Sequence, residues 1–266
     1  MKKRILIPII AVVILLAVLF IPIPQGSYDD GGTREWIALT YKIVDWNKLS
    51  ADSIYKATRI YFGDDRNKSI GELWEREQTE CEDTLTDYKP VIYLYPEEET
   101  EVTVTLDYSG HLTCTYPRYD NGWTVTATPD GTLTDANGQT YNYLYWEGET
   151  YTQYDLSKGF CVKGEDTAAF LEDALAKLGL NRREANEFIV FWLPMMEQNP
   201  YNIISFQSDI YTESAKLEVT PAPDTVIRVF MAWQASDEIV EIEAQELSAP
   251  EREGFTVIEW GGTEVK

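Results

Sequence analysis

Histidine is almost missing from this 266-residue chain; His111 is the only one. Cysteine is scarce too: Cys81, Cys114 and Cys161 are far apart in sequence. Together these shortages argue against a Cys/His zinc centre, which needs closely spaced ligands. Any histidine-dependent triad has only His111 to draw on, a residue beside a turn in a predicted strand, where an edge or solvent position explains it better. Positive charge is in deficit, with 22 Lys and Arg against 45 Asp and Glu, a formal charge of −23. Such a surface repels nucleic acid and anionic lipid headgroups, so neither is expected as a partner. There is no glycine-rich phosphate loop ending in Lys-Ser/Thr and no Gly-x-Ser-x-Gly elbow. No cofactor is implied.

The first long apolar run is Ile5–Ile23, uncharged and preceded by Lys2-Lys3-Arg4. It approaches the roughly 20 residues that a spanning helix needs. Its exit, Leu19-Phe20-Ile21-Pro22-Ile23-Pro24, has no small-x-small cleavage site and no cysteine to lipidate. This reads as a retained, single-pass signal anchor in the cell membrane over residues 1–26, with the basic flank in the cytoplasm and the acidic bulk outside. Cleavage near Gly26-Ser27 is the competing reading.

Residues 27–77 read as a membrane-proximal β-β-α segment. Its strands are expected at Trp36–Val44 and Ala57–Phe62, and its helix at Lys68–Glu77, capped by Ser69 with Glu72 three residues on. The acidic, aperiodic stretch Gln78–Tyr88 reads as a linker.

Residues 89–266 form the expected main domain. It opens on Lys89-Pro90-Val91-Ile92-Tyr93-Leu94-Tyr95-Pro96, in which two prolines bracket five apolar or aromatic residues. That pattern predicts a strand buried on both faces. Alternating strands follow at Thr100–Leu106, His111–Tyr116, Gly122–Thr128 and Gln139–Trp146, with Asn137-Gly138 suited to a type I′ turn. The period then changes to a helical one. A first helix is expected near 167–178, capped by Asp166, and a second near 182–193, capped by Asn181 with Glu184 and ended or kinked at Pro194. Strands return at Tyr201–Gln207, Ala215–Val219, Thr225–Trp233, Glu238–Ile242 and Gly254–Trp260. The fold class is therefore α+β: an N-terminal transmembrane helix, then a mainly antiparallel β ectodomain, sandwich or partly closed barrel, with an inserted helical hairpin.

Lys89–Pro96, Thr115-Tyr116-Pro117, Pro129-Asp130-Gly131, Tyr145-Trp146-Glu147-Gly148, Trp192-Leu193-Pro194 and Glu259-Trp260-Gly261-Gly262 occur in that order. They resemble a family of uncharacterised bacterial membrane-anchored surface proteins, and Gly31–Glu35 through Trp46-Asn47, with Glu72-Leu73-Trp74, resembles a segment near the N-terminus of other anchored proteins of unknown function. The resemblance implies family membership and location, and it brings no activity and no assigned residues.

Two function classes remain. The leading one is a non-catalytic binding or scaffolding module at the cell envelope, with cell-wall glycan or another envelope protein as partner. The rival is a glycan-directed hydrolase using paired carboxylates. Glu147 and Glu197 are its candidates, because each adjoins aromatic residues able to desolvate a carboxyl. Among the aromatics, Tyr116, Tyr119, Trp123, Tyr143, Tyr145 and Trp146 offer either a ligand platform or core pairs. Tyr119 and Trp146 are the ligand-contact candidates. Outside the membrane Cys114 and Cys161, both in predicted strands, are the candidate disulfide; the other reading is three thiols.

Overall fold

A computed structural model describes residues 20–49, 54–82 and 84–265. Most of the apolar run Ile5–Ile23 lies outside the described residues. Among those described, no helix is long and apolar enough to cross a membrane. The chain divides into two compact units, Met1–Cys81 and Glu82–Lys266.

Among the described residues, the first unit has a four-stranded antiparallel meander followed by a helix. Its strands are β1 (Ile23–Ser27), β2 (Arg34–Ile37), β3 (Tyr41–Leu49) and β4 (Ile54–Phe62), and helix α1 spans Ile70–Glu82. Strands β2 and β3 replace the single strand expected at Trp36–Val44, and β1 overlaps the end of the anchor expected over residues 1–26. The chain instead turns at residues 38–41, where the Ala38 amide donates to the Tyr41 carbonyl. Ser69 and Glu72 cap α1 reciprocally, the Ser69 amide reaching Glu72 Oε2 at 2.8 Å. Val44, Trp46, Tyr61, Ile70 and Leu73 form the core. Glu77 sits on the same helix face as Ile70 and Leu73 and is only 2% exposed. Its carboxylate accepts from the Tyr55 and Tyr61 hydroxyls, each at 2.6 Å, and from Arg59 Nε at 3.2 Å. Charge-assisted bonds of this kind offset the desolvation of a buried carboxylate.

The second unit has three layers. Its central layer is a seven-stranded sheet built on β5 (Leu85–Tyr95). Along it lie β7 (Gly110–Tyr116), β11 (Leu144–Thr150), β12 (Phe160–Lys163), β13 (Tyr201–Phe206), β15 (Thr225–Ser236) and β16 (Thr256–Glu264), in the order β12-β13-β15-β16-β5-β11-β7. One face carries a helical hairpin, α2 (Thr167–Lys177) and α3 (Arg182–Met196). The other face packs on a five-stranded sheet of β6 (Thr100–Tyr108), β8 (Trp123–Ala127), β9 (Leu133–Thr134), β10 (Thr140–Tyr141) and β14 (Ala215–Thr220). A short helix, α4 (Ser208–Ser214), leads into β14.

Strand alternation explains how β5 joins these layers. Val91 and Tyr93 enter the core shared with the helices, while Ile92 and Leu94 enter the core shared with the second sheet. All four are at most 1% exposed. Trp260 of β16 packs edge-on against Phe188 of α3, with ring centroids 5.2 Å apart. Next to it Gly262 has no room for a side chain: a Cβ there would stand 2.5 Å from the Met231 carbonyl and 2.7 Å from the Trp192 ring. The Trp-Leu-Pro and Glu-Trp-Gly-Gly segments are thus two sides of one close helix-sheet contact.

Several expectations are corrected. The predicted linker Gln78–Tyr88 is the end of α1 and the start of β5, whose Leu85 and Asp87 are buried. Glu238–Ile242 is not a strand. It begins the crossover, residues 237–255, that joins the parallel pair β15 and β16. Parallel neighbours need such a connection, commonly a helix. Here the chain is held by side chains instead: Gln245 bonds both the amide and the carbonyl of Phe206, and Arg252 bonds the Gly179 carbonyl and Glu184. Asp166 does not cap α2 with its side chain, since a 3-10 turn at Gly164–Asp166 precedes the helix. Pro194 lies inside α3, which runs on to Met196, whereas the Asn181–Glu184 capping box is present. In the hairpin between β9 and β10, Gly138 takes the left-handed conformation (φ +79°) and Asn137 does not, so the turn is not type I′. Cys114 and Cys161 are both free. They lie on β7 and β12, the opposite edges of the seven-stranded sheet, about 29 Å apart at ~4.8 Å per strand, far beyond disulfide reach.

Replacing Leu94 with Asp places a carboxylate between two packed sheets. The expected outcome is loss of the second unit's cooperative thermal transition, a cost above about 4 kcal/mol. A variant melting at the parental temperature would refute the two-sided burial of β5.

Candidate functional site

The helical hairpin does not cover the whole central sheet. Beyond α3, the β11–β7 end leaves part of its helix-side face open. Alternation puts Leu144 and Trp146 of β11 into the inter-sheet core, so Tyr143, Tyr145 and Glu147 rise on the open side. Register places Tyr116 opposite Tyr145 and Cys114 opposite Glu147 on β7. Tyr116 is 60% exposed, and its ring meets Tyr141 edge-on at 5.4 Å. A cleft of about 520 Å³ is lined by Tyr116, Thr132, Thr140, Tyr141, Asn142 and Tyr143. Its lining holds rings, an amide and hydroxyls and no charged group.

The opening of β5 supplies the cation at the border of this cleft. The ladder between β5 and β16 is irregular between Trp260 and Gly262, opposite Tyr88–Val91. Lys89 there has φ +58°, one of two non-glycine residues with positive φ among those described. The left-handed region costs an L-residue of this kind roughly 1–2 kcal/mol. The conformation carries Lys89 Nζ to 5.2 Å from the Tyr143 ring centroid, 5.6 Å from Tyr145 and 5.9 Å from Phe191. Nζ also donates to the Tyr143 hydroxyl at 3.3 Å, and the Lys89 amide donates to Glu147 Oε1 at 3.2 Å. Burial, then the Glu147 carboxylate, push the Tyr145 hydroxyl above its ordinary range. Backbone strain of this kind clusters at ligand clamps and active sites.

The residues expected from sequence to carry function are dispersed. Glu147 is half-buried in this patch. Glu197 is exposed at the C-terminal end of α3, where its carbonyl lies against Gly164, just after β12. Strands β12 and β11 are separated by four others in the sheet, so the two carboxylates do not converge on one bond. Trp146 is fully buried, its ring between Tyr108 and Tyr211 and its Nε1 donating to Glu259. It is a core residue, unavailable to a ligand. Tyr119 is a strut: its hydroxyl bonds both the amide and the carbonyl of Leu106, and its ring packs on Trp123 at 4.6 Å. His111 is exposed on edge strand β7. Of the aromatics grouped as a possible platform, Tyr116, Tyr143 and Tyr145 are the ones that reach the open face. The position of Lys89 comes from a backbone irregularity, which a pattern of apolar residues does not reveal.

One buried carboxyl of the central sheet is perturbed. Asp87 is fully buried and accepts from the Tyr108 hydroxyl at 2.9 Å and the Tyr154 hydroxyl at 3.2 Å. Burial pushes its pKa up to about 7, against the lowering effect of the two tyrosines, and Glu259 adds to the rise. Enclosed in the core, it has a structural role.

The second unit is thus a three-layered β/β/α module with one open, tyrosine-bearing sheet face. Over 66 residues the chain is 54% identical to the uncharacterised protein in the bglA 3′ region of Butyrivibrio fibrisolvens, a match covering 24% of this chain and 68% of that protein. The chain belongs to that protein's family. No family model matches the chain, and no solved structure matches it.

Asp87 makes a pH prediction. Its folded pKa stands above the unfolded value, so its contribution is fully present below about pH 4 and is lost as pH rises to about 7. Asp87→Asn, which stays neutral, should gain stability relative to the parent across that window, by up to about 1.4 kcal/mol per pH unit. Urea unfolding of both proteins at pH 5 and pH 8 measures the difference; a gap unchanged with pH would refute the assignment.

Proposed function

We propose that the chain is a membrane-anchored extracytoplasmic binding module whose open sheet face takes an uncharged glycan of the cell envelope, without catalysis. The observation that carries this reading is the cleft of about 520 Å³ lined by Tyr116, Tyr141 and Tyr143 with Asn142 and two threonines. Flat amphipathic rings pack on the apolar faces of sugar rings, and amide and hydroxyl groups exchange hydrogen bonds with their hydroxyls. Lys89, held over the tyrosines, adds a donor at the border. The basic N-terminus, the uncharged run Ile5–Ile23 and the acidic remainder support the anchored, outward-facing location. The sequence motifs that resemble those of anchored surface proteins support it further. The separation of Glu147 from Glu197 weighs against the carboxylate hydrolase.

The test is a screen of neutral envelope glycans and peptidoglycan fragments against the full chain, scored for binding and for turnover. A bound glycan with no turnover is expected. Tyr143→Ala should weaken its binding about tenfold. Lys89→Gly, which suits the left-handed backbone, should weaken binding without lowering the melting temperature. Turnover that survives purification, or binding indifferent to Tyr143, would overturn the reading.

A further inference from the structure

A second cavity lies on the far side of the same unit, between the two sheets. Strand β14 is an edge of the five-stranded sheet. Its Leu217 and Val219 turn inward, toward Val226 of β15 and Val257 of β16, and these residues wall a groove of about 380 Å³. The lining is mostly apolar, and Val226 is 46% exposed there.

Arg228 also lines this groove, and its side chain is only 7% exposed. Nε donates to Glu259 Oε2 at 2.5 Å, and the guanidinium lies over the Tyr211 ring at 4.7 Å. Nη2 is buried and makes no hydrogen bond. A buried donor left unpaired is costly, and a guanidinium offers its remaining N–H groups in a fixed fork suited to a carboxylate. Lys216 borders the groove from the exposed side of β14, and none of the residues lining the groove is acidic. In a chain with about two acids for every base, such a lining is the exception.

We propose that this groove binds a medium-length alkyl carboxylate, with the chain between Leu217, Val219, Val226 and Val257 and the carboxylate on Arg228. The charge of the lining selects the anion, and the apolar walls select the alkyl chain. At about 380 Å³ the groove stands near the small end of ligand sites, which suits a single chain.

Calorimetric titration of the full chain in lipid nanodiscs with octanoate tests this, with empty nanodiscs as reference. Octanoate should bind, and octan-1-ol should bind at least tenfold more weakly. Arg228→Met should weaken octanoate at least tenfold. Because that change strands Glu259, Val219→Trp serves as the second variant: it fills the groove from an edge strand, should melt like the parent and should also lose at least tenfold. No binding of octanoate, equal binding of octan-1-ol, or parental affinity in a folded Val219→Trp protein would overturn the proposal.

Discussion

The second unit depends on β5 being covered on both sides. Val91 and Tyr93 face the helical hairpin, Ile92 and Leu94 face the second sheet, and the stretch carries no charged side chain. Polar residues on the same strand are therefore pushed to its start, where the ladder to β16 breaks and Pro90 has no amide to contribute. Lys89 emerges there in a left-handed conformation beside Tyr143 and Tyr145. The strand that organises the core is, through this irregularity, also the strand that places a cation on the open face.

The core between the two sheets is not purely apolar. Glu259 is fully buried and is answered by Arg228 and by Trp146 Nε1. Asp87 is answered by two tyrosine hydroxyls. Such groups contribute little net stability, but each is costly to leave without its partner. They penalise a slipped register, because a shift of one residue would send the carboxylates to the other face of the sheet. In the first unit, Glu77 with Tyr55, Tyr61 and Arg59 plays the same part.

Elements with a strong local period were legible in the sequence. The alternation of β6 and β8, the helical hairpin with its Asn181–Glu184 box, and the two-sided apolar run of β5 all follow from side-chain spacing. What escaped was set by tertiary context. Asp87 looks like a linker residue because its two tyrosine partners arrive from β7's neighbour in sequence and from a distant loop. Glu238–Ile242 looks like a strand, but the path from β15 to β16 requires it as a crossover. The candidate site was half legible: the tyrosines were visible as a group, and which of them face outward depended on the helices stopping short of β11 and β7. Tryptophan next to a carboxylate, as at Trp146-Glu147, pointed to a site although strand alternation sends the two side chains to opposite faces.

The parallel pairing of β15 with β16 also bears on how the molecule is made. Strand β16 is the last described strand, yet it lies between β15 and β5 at the middle of the seven-stranded sheet. Until it is in place, the β5-β11-β7 half and the β12-β13-β15 half share no ladder. During synthesis the two halves must wait with their inner edges unpaired, and unpaired edges invite strands from other chains. A late strand that closes the sheet centrally makes the fold one of distant contacts, of the kind that forms slowly. Under the anchored, outward-facing location that we propose, the same order would keep the sheet open until β16 had emerged.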